Sequence, residues 1–163
     1  MRWLYNSVMA GKGNVLLINP WIYDFAAYNL WIEPLGLLTL AAVLRDNGYW
    51  VTVVDCLAPH PGMPQPRLDG SGKFLKTEIA KPTEVAMIPR RYGRYGLPLE
   101  QFKAVLTAAP RPDLVLVASG MTYWYPGVIE AIQQVRARWG AVPVALGGTY
   151  ATLCPNHARQ FSG

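Results

Sequence analysis

Apolar positions in this chain come in short blocks, separated by stretches of helical periodicity. Residues 14–19 (NVLLIN) form an aliphatic run that stops at Asn19-Pro20. A run this short, with no polar alternation, predicts a strand buried on both faces. Residues 34–48 (PLGLLTLAAVLRDNG) predict a helix, with Pro34 near its start, Arg45 in its last turn and Asn47-Gly48 as its stop. Residues 49–55 (YWVTVVD) return to a β-branched apolar run and complete a βαβ unit. The pattern then repeats. Residues 98–109 (PLEQFKAVLTAA) predict a helix, Pro112-Asp113 a turn, and 114–118 (LVLVA) a third buried strand. In residues 125–139 (YPGVIEAIQQVRARW), Val128, Ile132 and Val135 fall on one helical face. Residues 142–146 (VPVAL) predict a fourth strand, followed by Gly147-Gly148 and the start of a helix from Tyr150.

Strands alternating with helices predict an α/β domain: a flavodoxin-like (Rossmann-like) parallel sheet with helices on both faces. The expected order of its main strands is 2-1-3-4. A flavodoxin-like sheet usually has five strands, so the last is expected beyond Gly163 or from elsewhere. The domain is expected over residues 14–163, after an N-terminal extension of residues 1–13. One segment breaks the rhythm. Residues 56–97, rich in Pro, Gly and basic side chains, read as irregular, with an insertion at about 57–97. Connections of such length are usually functional or flexible.

Open α/β sheets bind ligands outside the carboxyl ends of their strands. The loop after the first strand carries Trp21, Tyr23, Phe25, Tyr28 and Trp31. The loop after the third is Ser119-Gly120-Met121-Thr122, where small residues admit a ligand to the backbone and two hydroxyls can donate or accept. On that loop alone, Ser119 and Thr122 read as helix caps. After the fourth strand, Gly147-Gly148-Thr149 leaves room for something flat or bulky, or makes an ordinary tight turn. Neither a G-x-G-x-x-G after the first strand nor a G-x-x-x-x-G-K-[ST] occurs, which argues against a phosphate-led nucleotide site.

Composition narrows the class. The chain is 52% hydrophobic and 15% charged, which excludes disorder. Its longest apolar stretch, residues 35–44, is far short of the roughly 18 residues that span a bilayer. The start, MRWLYNSVMAGKG, lacks an apolar core and a small-residue cleavage site, so no signal peptide is expected. Cys56 and Cys154 stand far apart, without partners at metal-ligand spacing, and there is no glycosylation sequon. A cytoplasmic protein with no membrane partner is the expectation. Much of the net charge of +5 comes from residues 73–94, so it is not read as a global nucleic-acid signal.

The succession INP–aromatic loop–PLGLLTLAAVLRDNGY–VTVVD, then DLVLVASGMTYWYPGV, then VPVALGGTYAT resembles the N-terminal cobalamin-binding domain of cobalamin-dependent radical SAM enzymes. The resemblance covers nearly the whole chain from Asn14. Cobalamin domains in general carry Asp-x-His-x-x-Gly after strand one, Ser-x-Leu after strand three and Gly-Gly after strand four. Here Ser119-Gly120-Met121 matches the second with Met for Leu, Gly147-Gly148 matches the third, and no His lies between Asn14 and Gly36. Radical SAM members of the group also lack that His, and hold the cofactor base-off with no His below the cobalt. His60 follows the second strand and His157 lies near the end; neither is expected to replace it.

The resemblance implies cobalamin as cofactor and Asn19, Pro20, Trp21, Tyr23, Ser119, Gly120, Met121, Thr122, Gly147, Gly148 and Thr149 as its contacts. The first-loop aromatics, Phe25 among them, would pack below the corrin ring. No metal-ligating residue and no catalytic residue is expected within the chain. The parent activity implied is methyl transfer or a related radical reaction. Its [4Fe–4S] cluster and S-adenosylmethionine need a Cys-x-x-x-Cys-x-x-Cys that this chain lacks. A radical SAM domain in cis or in trans would supply them.

Three other readings compete. Residues 89–96 (PRRYGRYG) interleave Arg and Tyr as single-stranded RNA-binding segments do. Glu78 and Glu84 stand nearby, no RNP-like or KH-like motif accompanies them, and proteins similar to this one carry a comparable basic segment at the same place. That favours a lid or interdomain strap over a nucleic acid partner. A flavin module would need a Ser/Thr/Gly phosphate loop after strand one, where this chain has aromatics with Asp24 and Glu33. A degenerate domain that binds nothing and serves as an interaction platform is the third.

Overall fold

The structure, a computed structural model, describes residues 11–30, 33–64 and 67–162. Residues 1–10 of the expected extension, and Trp31 of the aromatic loop, lie outside the described residues.

Strand β1 (Asn14–Asn19) leads into two short strands, β2 (Ile22–Asp24) and β3 (Tyr28–Asn29). Helix α1 (Leu35–Asp46) follows, with Pro34 at its N-cap. It ends where the Asn47 side chain donates to the Val43 carbonyl at 2.8 Å and Gly48 takes a φ of +87°. Next come β4 (Trp50–Asp55), the short strands β5 (Gly72–Lys73), β6 (Lys76–Glu78) and β7 (Gly93–Tyr95), and α2 (Leu99–Ala108). Strand β8 (Leu114–Val117), α3 (Tyr125–Trp139), β9 (Val144–Leu146), α4 (Thr149–Leu153) and α5 (Pro155–Ser162) complete the chain.

The main sheet is parallel throughout, in the order β4-β1-β8-β9. Counting only its own strands, this is 2-1-3-4, the expected flavodoxin-like arrangement. Strand β1 is the spine because it is apolar on both faces. Leu16 and Ile18 turn toward a core built with Phe102 and Leu106 of α2 and Val128, Ile132 and Val135 of α3. Val15 and Leu17 turn the other way, toward Leu37 of α1 and Val51 of β4. Each of those four β1 side chains is 4% exposed or less. Burying one such side chain contributes roughly 1.5–3 kcal/mol.

The expected irregular loops turn out to be paired. The aromatic stretch after β1 and the basic insertion together form a small antiparallel layer, β2-β7-β6, with β3 paired to β5. Ile22, Ala27, Phe74 and Tyr95 make its core. A single 3-10 turn, Thr83–Val85, lies between β6 and β7. These strands are two or three residues long, and two of the pairings join distant positions, Ile22 with Tyr95 and Tyr28 with Lys73. Local periodicity carries no trace of such pairings.

Candidate functional site

Strand order reverses between β1 and β8: the chain moves from β1 to β4 on one side and from β8 to β9 on the other. A cleft of about 760 Å³ opens there, at the carboxyl ends of the strands. Helix α1 packs against β1 and β4. The same face of the sheet over β8 and β9 is left as a floor, where Leu116 stands in register with Ala145. Leu35, Leu37 and Leu40 of α1 form one wall, and Trp124, just before α3, lines another side.

The strand-end loops complete it. Asn19, Pro20 and Trp21 come from the end of β1, Ser119 and Gly120 from the end of β8, and Gly147, Gly148 and Thr149 from the end of β9. Eight of the eleven residues singled out from the sequence are thus brought to one cleft. The other three are not. Met121 is exposed, Thr122 opens the short 3-10 turn before α3, and neither lines the cleft. Tyr23 is buried on the opposite side, with its hydroxyl donating to Glu130 of α3 at 2.9 Å. Burial, reinforced by the Glu130 charge, pushes its phenol far above the ordinary tyrosine range.

Trp21 reaches the cleft only from the core. It is 1% exposed, its ring packs on Phe102 at 4.6 Å, and its indole N–H donates to the Leu97 carbonyl at 2.5 Å. It lines the cleft, yet its ring belongs to the core. Phe25 packs edge-on against Tyr92 at 5.2 Å, and Tyr95 donates to the Phe25 carbonyl at 3.0 Å. The Trp21, Tyr23 and Phe25 rings therefore fasten the antiparallel layer to the domain.

The glycine pair divides into two roles. Gly148 has a φ of +96°, and a Cβ there would sit 2.3 Å from the Ser119 carbonyl oxygen. It lets the β8 and β9 loops touch through their backbones. Thr149 N–H then donates to the Ser119 carbonyl at 2.9 Å, and the Ser119 hydroxyl donates to the Gly147 carbonyl at 2.7 Å. Ser119 is accordingly a tie between two loops; neither the turn nor the helix after it has a side-chain cap bond. Gly147 is the open one: a Cβ there meets nothing within 4 Å.

At the β1 end of the wall, the Asn19 side-chain N–H donates to an Asp55 carboxylate oxygen at 2.7 Å. Burial pushes the Asp55 carboxyl up from its ordinary value, against the hydrogen bonds from Leu57 N–H and Asn19 that pull it down. Glu33 is the charged residue of the lining, and among the described residues no lysine or arginine joins it. Neither histidine reaches the cleft. His60 is buried in a separate 210 Å³ cavity with Val53, Leu97 and Gln101, and His157 is hydrogen-bonded to the Tyr150 hydroxyl at 2.7 Å. Among the described residues, no three His, Cys, Asp or Glu side chains cluster as a metal site, and no helix is long and apolar enough to cross a membrane.

No family model, curated protein or solved structure matches this chain.

Sequence reading did not single out Trp124, Glu33 or the leucines of α1 as cleft residues. Trp124 is held by its indole N–H donating to Asp24 of β2 at 3.1 Å, with Gly120 leaving space beside the ring. The leucine signal was present: Leu35 and Leu40 lie outside the stripe that buries Leu37, and both are exposed. Apolar residues on the outer side of an amphipathic helix mark a surface with something to contact.

Proposed function

We propose that this domain holds cobalamin in the cleft, base-off and with no histidine below the cobalt, as the cofactor-binding module of a cytoplasmic cobalamin-dependent radical SAM enzyme. One observation carries the reading. The three strand-end segments that the sequence resemblance assigns to cobalamin, Asn19-Pro20, Ser119-Gly120 and Gly147-Gly148-Thr149, line one mainly apolar cleft at the switch point of the sheet. Sites for small molecules and cofactors run to roughly 300–1,000 Å³, with apolar walls and a few directed polar groups, and this cleft fits that description at about 760 Å³.

The donor set suits the group in this form. Both histidines are engaged elsewhere, so the cleft offers no imidazole to a cobalt. Open space at Gly147 leaves a passage for the nucleotide tail beside the Ser119 loop. The leucines of α1 and the Trp124 ring supply apolar contact for a broad disc. Cobalamin so held would serve methyl transfer or related radical chemistry. The cluster and S-adenosylmethionine for that chemistry belong to a radical SAM domain in cis or in trans.

The RNA reading loses its main support. Tyr92 and Tyr95 of the Arg-Tyr-Gly repeats are 7% and 5% exposed, so their faces are not open to bases. Arg94 lies over the Trp21 ring at 5.4 Å, Arg90 over Phe25 at 5.8 Å, and Arg91 pairs with Glu78 at 3.6 Å.

The test is a visible spectrum of the folded chain after incubation with hydroxocobalamin and desalting. Stoichiometric retention with a base-off, His-off spectrum is expected, unchanged in His60→Ala and lost in Gly147→Val. No retention by a chain with intact circular dichroism overturns the reading and leaves the non-binding platform.

A further inference from the structure

Strand β1 and the edge strand β4 run in register from Asn14 beside Trp50 to Asn19 beside Asp55. Parallel neighbours in register share a face, so the last pair sets an amide against a carboxylate where the strands end. Asn19 lines the cleft and Asp55 does not. The Asp55 oxygen that takes the Asn19 N–H at 2.7 Å also takes the backbone N–H of Leu57 at 2.9 Å. An ionised carboxylate only accepts, so the amide nitrogen of Asn19 is the end that faces it. The carbonyl oxygen is the end that Asp55 does not take. Glu33 adds a second acceptor group to the lining, and no lysine or arginine stands among the described lining residues to offset either.

We propose that Asp55 is a positioning residue that locks Asn19 with its carbonyl oxygen toward the ligand, so that this wall accepts hydrogen bonds from an amide edge and rejects a carboxylate. The inference rests on the cobalamin reading and sharpens it. The site is selective for corrinoids whose peripheral carboxyl groups are amidated over the corresponding acids. An amide at this position donates to Asn19. A carboxylate in its place would face two acceptors and lose its water without compensation.

The test compares affinities of the full chain for hydroxocobalamin and for its separated monocarboxylic acids, each with one peripheral amide hydrolysed. The native chain is expected to bind at least one acid isomer about tenfold more weakly than the parent, the scale of one well-made hydrogen bond with its repulsive counterpart. Asn19→Ala should weaken the parent and leave that isomer unchanged. Asp55→Ala, which removes the oxygen that holds the Asn19 amide and lets that amide turn over, should bring the two within about threefold. A purely structural tie would weaken both ligands together, so the ratio separates positioning from support. All isomers binding within about threefold of the parent, or a preference that survives in both variants, overturns the inference while leaving the cobalamin reading standing. Failure of the folded native chain to bind any of these corrinoids overturns both. Circular dichroism checks each variant, and Asn19→Ala carries the test if Asp55→Ala does not fold.

Discussion

At the residue scale, adjacent glycines with the same letter do opposite work. Gly148→Ala adds a Cβ 2.3 Å from a backbone oxygen at a φ of +96°. The expected cost is roughly 2–4 kcal/mol, seen as a lower midpoint in thermal or urea unfolding. Gly147→Val points into open space. It should leave the midpoint within about 0.5 kcal/mol, as surface changes do, while blocking the cleft. An equal loss of stability in both would show that the two loops are not joined as described. Tyr23 and Tyr92 give a pH dependence. Burial raises both phenols, Tyr92 from 10.0 to about 12. The folded chain therefore binds these protons more tightly than the unfolded chain. Their stabilisation is complete below about pH 10 and is lost as pH rises through the folded values. Denaturant midpoints measured between pH 8 and 11 should fall above pH 10, and Tyr23→Phe should flatten that fall.

Among the elements, α3 approaches the chain more closely than a side chain would allow. A Cβ on Gly127 would sit 2.1 Å from the Trp21 carbonyl oxygen. Gly127→Ala should therefore cost about 1–3 kcal/mol by overpacking, although alanine is the better helix former. A stabilised Gly127→Ala would mean that the start of α3 does not rest on the turn after β1. The antiparallel layer depends on the same neighbourhood. Trp21 joins it to α2 through Phe102 and to the chain entering α2 through the Leu97 carbonyl. Trp21→Ala should cost about 3–5 kcal/mol, the range for a buried aromatic, and should raise proteolysis within residues 57–97 first.

For the whole molecule, the basic insertion is a structural layer whose charges are largely spent on the protein itself. Besides Arg90, Arg91 and Arg94, the Lys76 ammonium donates to the Arg91 carbonyl at 2.9 Å and Lys81 to the Ile88 carbonyl at 2.6 Å. Fluorescence anisotropy with a labelled single-stranded RNA should accordingly show no salt-dependent binding. A steep fall of affinity with salt would restore the RNA reading. Removing residues 73–94 is no clean control, since Phe74 and Tyr92 are buried and the deletion would take a core with it.

The order of elements along the main sheet was legible because each depends on local facts: a β-branched apolar run, helical spacing, an Asn-Gly stop. The three loops of the cleft were legible because open α/β sheets put ligands at strand ends, whatever the loops contain. What each side chain does there was decided by tertiary structure. Trp21 and Tyr23 read as ligand-facing aromatics, but pairing of β2 with β7 carried their rings into the core. Ser119 read as a cap, but Gly148 let a second loop approach closely enough to take its hydroxyl. Asn19 was visible as a polar residue at a strand end, while its partner Asp55, 36 positions away, became its neighbour only through the register of two parallel strands. Periodicity reports which face a residue takes within its own element. Which other face it meets depends on contacts between distant segments, and those exist only once the chain has closed on itself.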